Sequence, residues 1–377
     1  MMKIPLIRPD LPALDDVAGE FGEILKTGHI TNNGRYVREF ENEVTAYLRT
    51  PAVAVSSGSA ALLFSLQALG LQRGEKVVVP SFTFMATVQA ILYAGGVPLF
   101  VDITEDMTLD VDDLEELFAQ HGDIVGVVGT HVYGMPCAVD AIDVAVRGYT
   151  RRTGRDVFVV YDAAHAFGSS VGDRRVGRFG TAEVFSLSAT KLLVAVEGGL
   201  VASANPGLID RVKKMRNYGI EANYDAWWPG LNGKMSEFHA VIGLYNLRRL
   251  DALLSARQDK ARYFIAAIRS DTSFVPPPWR DDVTQTFKDF TVLVPESLVE
   301  SRATIMQHLA SLGVETRAYF SPPAHEQRLF QAFDSRKLPM TSRVARRVIS
   351  LPFFSTITIS EMDYIVTALQ EAERKIS

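Results

Sequence analysis

A lysine inside an apolar stretch is the residue of this sequence best suited to chemistry. Lys191 lies in FSLSATKLLVAVEGG, residues 185–199, with small hydroxyl residues before it and two glycines after it. A buried amine loses its hydration, so its pKa falls below the usual value of about 10. The neutral amine that results can form a Schiff base with an aldehyde near neutral pH. Lys191 is therefore a candidate nucleophile, and an ordinary exposed lysine is the alternative.

A second candidate is an acidic residue at the end of an apolar run. DVFVVYDAAHA, residues 156–166, places Asp162 at the end of a predicted strand, with His165 three residues later. A buried carboxylate needs a partner. A structural salt bridge or a cap of the next segment would satisfy it equally well. Because Lys191 follows the next predicted strand, we expect both side chains to face one pocket.

A third feature is the turn in SSGSAALLFSL, which places Gly58 and Ser59 between a strand and a helix. Free N–H groups and the helix dipole favour a bound anion at such a turn, commonly phosphate. The alternative is that Ser59 only caps the helix. The turn lacks the sequence of a Walker A loop, and no G-x-G-x-x-G follows the first strand, which counts against an NAD-dependent dehydrogenase.

Together these features fit pyridoxal 5′-phosphate (PLP). This cofactor requires a phosphate site, a carboxylate that keeps its pyridine nitrogen protonated, and a lysine that holds its aldehyde. Ser186 is positioned to add a phosphate contact from the neighbouring strand. Phe84 and His165, both near strand ends, are candidates to stack on the ring.

An α/β fold must position these residues. From residue 50, β-branched runs alternate with helix-period stretches, which predicts an open, mostly parallel sheet of about seven strands. The predicted strands cover residues 52–57, 76–82, 97–103, 124–134, 156–166, 182–189 and 199–204. The last two leave no room for a helix between them, so one is expected to run antiparallel. Ligands of such sheets bind at the carboxyl ends of the strands, where the candidates lie.

The pattern changes after residue 235. Residues 235–268 predict one or two long helices, and a smaller α+β unit follows. Its predicted elements are a strand at 287–295, a helix at 301–312, a strand at 314–320 and a helix at 360–375. We therefore expect a large domain with an N-terminal arm over 1–250 and a small C-terminal domain over 251–377.

Composition excludes several classes of protein. The net charge of -5 provides no basic surface for nucleic acid or an anionic membrane. The single cysteine, Cys137, cannot form an internal disulfide and fits a reducing compartment. Neither a signal peptide nor an uncharged apolar run of membrane-spanning length is recognisable. The sequence predicts a cytoplasmic enzyme without a metal site.

The chain resembles the sugar aminotransferases of the DegT/DnrJ/EryC1/StrS family, a branch of the fold type I PLP enzymes, over nearly its full length. The motifs that carry the resemblance include SSGSAAL, VPSFTFMAT, YDAAHAFGS, VFSLSATK, EGGLV and GLNGKMSEFHA. It implies that Lys191 is the Schiff-base lysine and that Asp162 is the partner of the pyridine nitrogen. It also implies further cofactor contacts from Gly58, Ser59, Phe84, His165 and Ser186.

The resemblance also implies a homodimer, because Asn232 would reach the phosphate bound by the neighbouring subunit. One position departs from the family pattern: relatives often carry histidine three residues before the lysine, and this chain has Ser188. The departure puts nearby substrate contacts in doubt. A dehydratase branch replaces the lysine itself, so the presence of Lys191 favours transamination.

The family implies a nucleotide-linked keto sugar as acceptor and L-glutamate as donor, with 2-oxoglutarate as coproduct. Motifs such as GTHVYGMPCAVD and VETRAYFSPPAHE resemble C4-specific enzymes that make dTDP-4-amino-4,6-dideoxyglucose from dTDP-4-keto-6-deoxyglucose. Alternatives are a C3-specific or GDP-sugar aminotransferase, or a non-catalytic PLP-binding regulator. The candidates for substrate contacts are Thr31, Asn32, Arg317, Tyr319 and His325. Surface or interface packing is the alternative for each of them. Trp227 and Trp228 are predicted either to form a lid or to pack in a core or interface.

Overall fold

The computed structural model describes residues 3–333 and 336–376. Its centre is a mostly parallel sheet of seven strands. These are β1 (Ala52–Val55), β2 (Lys76–Pro80), β3 (Val97–Val101), β4 (Ile124–Thr130), β5 (Phe158–Asp162), β6 (Ala182–Ser186) and β7 (Gly199–Ala202). The spatial order is β1-β7-β6-β5-β4-β2-β3, and β7 runs antiparallel to both of its neighbours. The predicted sheet, including its antiparallel strand, is confirmed.

The strands are apolar because helices cover both faces of the sheet. One core cluster contains Ala54, Val78 and Tyr161, and a second, on the opposite face, contains Val55, Val79 and Val160. Successive strand residues point to opposite faces, so near-continuous apolar runs are needed when both faces are buried.

The helices alternate with the strands up to β7 and dominate the chain after it. They are α1 (Leu14–Thr27), α2 (Arg35–Leu48), α3 (Gly58–Ala68), α4 (Met85–Tyr93), α5 (Val111–Gln120), α6 (Val139–Thr153), α7 (Pro206–Met215), α8 (Glu237–Leu247), α9 (Leu250–Asp271), α10 (Arg302–Ser311), α11 (Pro339–Arg347) and α12 (Ile359–Ile376). Residues 235–268 thus form two helices that meet at Arg248 and Arg249. Among the described residues, no helix combines the length and the apolar character that crossing a bilayer requires.

The C-terminal part has a small sheet in which β8 (Phe290–Leu293) pairs antiparallel with β9 (Val348–Leu351). The strand predicted over 314–320 does not form, and its residues make only isolated bridges from Val314 and Arg317. Buried VISL at β9 pairs with β8 along its length, and the segment 314–320 meets β9 only at the Arg317–Ser350 bridge. Short strands outside these sheets are Ser170–Val171, Arg174–Arg175, Ile220–Ala222, Asp225–Ala226 and Val283–Thr284.

The N-terminal segment packs with the C-terminal part of the chain. Ile4 bridges Val314 and is fully buried in a core cluster that includes Phe264, Phe290 and Ile365. The domain division at residue 250 stays a prediction, and it coincides with the first residue of α9.

Candidate functional site

A cavity of about 360 Å³ opens where the central parallel strands end. Thr130, Asp162 and Ser186 are the last residues of β4, β5 and β6, and all three line it. The other sequence-predicted residues in its lining are Gly58, Ser59, Phe84, His165, Lys191 and Tyr319. The fold therefore assembles most of the predicted cofactor residues in one place, as the strand-end rule requires.

Lys191 is half-buried in this cavity, and its environment makes the amine less basic. Burial is the main cause that lowers its pKa to about 8, and the positive charge of Lys288 adds to the effect. The carboxylates of Asp289, Asp162 and Glu197 oppose the shift in part. An amine with this pKa is substantially neutral near pH 8 and can act as a nucleophile or base.

The lowered pKa of Lys191 predicts the pH dependence of PLP capture by the apoprotein. Only the neutral amine attacks an aldehyde, so the capture rate should rise with pH and reach half of its maximum near pH 8. An ordinary lysine, with a pKa near 10.4, would place that midpoint more than two units higher. Stopped-flow absorbance of the bound cofactor measures the rate. A midpoint above about pH 10 would show that burial does not tune this amine.

Asp162 is buried and held by two hydrogen bonds. Its Oδ2 accepts from the Thr87 hydroxyl at 2.6 Å, and its Oδ1 accepts from the backbone N–H of Ala164 at 3.0 Å. Thr87 belongs to a chain of hydroxyl contacts with Thr83 at 2.9 Å and from Thr83 to Thr130 at 3.1 Å. Within the described residues Asp162 forms no ion pair, so the salt bridge considered from the sequence is wrong. The carboxylate is fixed in place and keeps lone pairs for a ligand.

The start of α3 fits a bound anion. Ser57 is the N-cap: its hydroxyl accepts from the Ala60 N–H at 3.1 Å. The alternative that Ser59 caps the helix is therefore wrong, and Ser59 instead lies exposed in the first turn. The absence of a side chain at Gly58 allows close packing on β6, because a Cβ there would lie 2.9 Å from the Cβ of Ser186.

This close approach predicts that Gly58→Ala weakens cofactor binding. Overpacking at this contact costs about 1–3 kcal/mol. If the turn shifts to relieve it, the affinity for PLP falls by about 5- to 150-fold. Fluorescence titration of the apoprotein with PLP measures it. Gly22→Ala is the matched control, because a Cβ at that helical position meets nothing within 4 Å. Equal affinities of the two variants would contradict the prediction.

Two rings line the cavity near Asp162. Phe84, the residue before α4, is 50% exposed and its ring lies 6.1 Å from that of Phe320. His165 accepts the Tyr133 backbone N–H at Nδ1, over 3.1 Å. Burial, with the charges of Lys191 and Lys288, holds the pKa of His165 well below its usual value. His165 is therefore a neutral ring that carries its proton on Nε2.

Several predicted residues lie outside the cavity lining. The His325 ring contacts the Ser81 hydroxyl at 2.6 Å, and Arg317 pairs with Glu315 at 2.9 Å. Thr31 and Asn32 lie before α2, and Asn232 is exposed and bridges Asn217. Substrate or partner-subunit contacts from these residues stay predictions.

Trp228 packs under Arg211 and against a core cluster, whereas Trp227 is largely exposed.

Some cavity residues were not anticipated from the sequence. Lys288 and Asp289 enter from the C-terminal part of the chain, and Phe320 also lines the space. The sequence did contain a signal for Lys288 and Asp289. The motif FKDFTVLVP places these two opposite charges side by side in a run that otherwise suits a buried strand. The Thr87 contact with Asp162 had no sequence signal, since it joins residues 75 positions apart.

These residues fit PLP. Four features surround one cavity of suitable size. They are the helix start at Gly58, which has no side chain, the oriented carboxylate of Asp162, the weakly basic amine of Lys191 and the exposed ring of Phe84. Such a site at the carboxyl edge of a mostly parallel sheet defines a PLP-dependent enzyme of fold type I.

The chain belongs to the DegT/DnrJ/EryC1/StrS aminotransferase family, whose family model matches residues 15–370. It is 30% identical over 376 residues to the GDP-perosamine synthase of Escherichia coli O157:H7, covering 98% of this chain and 99% of that protein. It is 28% identical to the dTDP-4-amino-4,6-dideoxy-D-glucose transaminase of Shigella dysenteriae, covering 97% of each.

A solved relative shares the whole fold. The crystal structure of DesI in the presence of its TDP-sugar product superposes with a TM-score of 0.89 at 30% identity, covering 100% of this chain and 95% of that one. The predicted fold class, family and cofactor are confirmed: the protein is a PLP-dependent sugar aminotransferase.

Proposed function

We propose that this protein transfers the amino group of L-glutamate to a nucleotide-linked keto sugar, with C4 of dTDP-4-keto-6-deoxyglucose as the acceptor. The observation that carries the proposal is the convergence of Lys191, Asp162 and the start of α3 on one cavity. The product would be dTDP-4-amino-4,6-dideoxyglucose, with 2-oxoglutarate released in the first half-reaction.

Each residue has a role that its surroundings support. PLP, when bound, withdraws electrons from the substrate carbon that carries the nitrogen. Lys191 would hold the cofactor aldehyde. Its freed Nζ would move a proton from the α-carbon of glutamate to the cofactor in the first half-reaction, and from the cofactor to the sugar carbon in the second. Asp162 would stabilise the protonated ring nitrogen, and the neutral His165 would offer its Nε2–H to the ring face or the phenolic oxygen.

Two relatives support the dTDP sugar as acceptor. The transaminase of Shigella dysenteriae is named for a dTDP-linked sugar, and the structure of DesI was determined in the presence of its TDP-sugar product. A GDP-linked sugar is the second candidate, because the relative from E. coli is named GDP-perosamine synthase and matches nearly the full chain. A homodimer in which Asn232 contacts the neighbouring phosphate site completes the proposal. The cytoplasmic location stays a prediction.

Two measurements test this proposal. Adding glutamate to the holoenzyme should convert the visible spectrum of bound PLP to that of the pyridoxamine form, whereas a non-catalytic regulator would show no conversion. The pyridoxamine form is then given dTDP- and GDP-linked 4-keto-6-deoxy sugars and a 3-keto sugar, and the products are identified by NMR. Amination of the GDP or 3-keto sugars alone would reject the dTDP-4-keto substrate and retain the enzyme class.

A further inference from the structure

A buried ion pair forms part of the cavity wall. Lys288 Nζ donates to Asp289 Oδ1 at 2.7 Å, and the two side chains are only 6% and 4% exposed. Both residues line the same cavity as Lys191, and the ammonium of Lys288 lies 5.7 Å from the centre of the Tyr319 ring. Neither residue has a part in holding PLP in the roles described above.

The backbone that carries this pair is fixed. The buried guanidinium of Arg257 donates to the carbonyl oxygens of Thr286 and Phe287, both at 2.7 Å. The N–H of Lys288 donates to the carbonyl oxygen of Tyr133 at 2.9 Å, which ties the segment to the turn after β4. Side chains held on such a backbone present a constant arrangement of donor and acceptor to a ligand.

The pair has unused hydrogen-bonding capacity. Asp289 Oδ2 is buried and accepts a hydrogen bond from none of the residues that the structure describes. Lys288 has three N–H donors, and Asp289 Oδ1 takes one of them. A buried acceptor without a partner is destabilising, and a ligand that supplies a donor recovers the lost hydrogen bond.

The chemistry of the vacant acceptor distinguishes the two substrates. Both carboxylates of glutamate accept hydrogen bonds and would be repelled by Asp289. A hexose hydroxyl donates one hydrogen bond and accepts others, so it can bridge Asp289 and Lys288 at once. The pair is therefore complementary to the sugar rather than to the carboxylates of the amino donor.

We infer that Lys288 and Asp289 form the subsite for a ring hydroxyl of the keto sugar, with Asp289 as its acceptor. The inference rests on the proposed function, since it specifies how the same cavity binds the second substrate. In this role Asp289 favours binding of the sugar, and it influences the glutamate half-reaction only through its small effect on the pKa of Lys191.

The test is Asp289→Asn in the holoenzyme, with the two half-reactions followed separately by the cofactor spectrum. Replacing a charged acceptor by a neutral one should lower kcat/KM for dTDP-4-keto-6-deoxyglucose about 10- to 100-fold, mainly through KM. The rate of the glutamate half-reaction should stay within about threefold. Asp123→Asn is the matched control, because it breaks a Lys–Asp pair of similar length, with Lys76, outside the cavity.

Because Asp289→Asn leaves Lys288 buried without its counter-ion, the double variant Lys288→Met with Asp289→Asn is measured beside it. A variant that binds PLP and converts with glutamate is folded, so its sugar kinetics are interpretable. An equal loss in both half-reactions, or no loss for the sugar, would overturn the inference alone. A wild-type enzyme that aminates neither the dTDP sugar nor its GDP counterpart would overturn the proposed function as well.

Discussion

Lys191→Ala should remove transaminase activity, with kcat falling by at least about 10²–10⁴-fold. That range is the usual contribution of a positioned acid–base group, and this variant also loses the attachment point for the cofactor aldehyde. Lys288, the other lysine of the cavity, is paired with Asp289 and cannot take over the proton transfer in that position. The half-reaction with glutamate, followed spectroscopically, measures the loss.

A chemical readout makes this prediction specific to position 191. Borohydride reduction of wild-type holoenzyme should add one cofactor-derived mass to the peptide that contains Lys191, and the variant should show none there. Lys213→Ala, at an exposed position in the last turn of α7, is the matched control and should keep the adduct and full activity. Labelling of a different lysine in the wild type would refute the assignment.

The predicted residues that line the cavity and belong to the large sheet share one property: each lies at the end of a strand or just after it. Asp162 and Ser186 end parallel strands, and Gly58 follows β1, so topology alone brings them to the same edge of the sheet. Their roles were then indicated by residue type, because few ligands need an amine, a carboxylate and a phosphate site together.

The other wall of the cavity was less predictable, because its residues come from segments without a topological rule. Lys288 lies 97 positions after Lys191 in the chain, and hydrogen bonds with Arg257 and Tyr133 hold the backbone of its segment in place. His325 shows where a motif alone does not locate a residue in the cavity, and its substrate contact stays a prediction. Its motif resembles a substrate loop, yet its ring contacts Ser81 and packs near Phe100, outside the cavity lining.

Asp162→Asn should lower kcat about 10³-fold while leaving the fold intact. Two unit charges about 4 Å apart interact by about 4 kcal/mol at the effective dielectric constant of a partly buried site, and each 1.36 kcal/mol changes a rate tenfold. Asparagine has nearly the shape of aspartate: its Oδ1 can still accept from the Ala164 N–H, and its Nδ2 can donate to the Thr87 hydroxyl in place of the bond that Oδ2 of Asp162 accepts. The variant therefore loses the charge that stabilises a protonated ring nitrogen and keeps most of the local packing.

The expected signature is a slow proton transfer with nearly unchanged substrate binding, since Asp162 contacts the cofactor rather than glutamate or the sugar in the proposed arrangement. A single-turnover experiment with α-deuterated glutamate would show a larger isotope effect in the variant than in wild type. Asp210→Asn, which removes a carboxylate from an exposed ion pair on α7, is the control and should be kinetically silent. If Asp162→Asn retained more than about a tenth of wild-type kcat, the charge at this position would not be the source of the cofactor's reactivity.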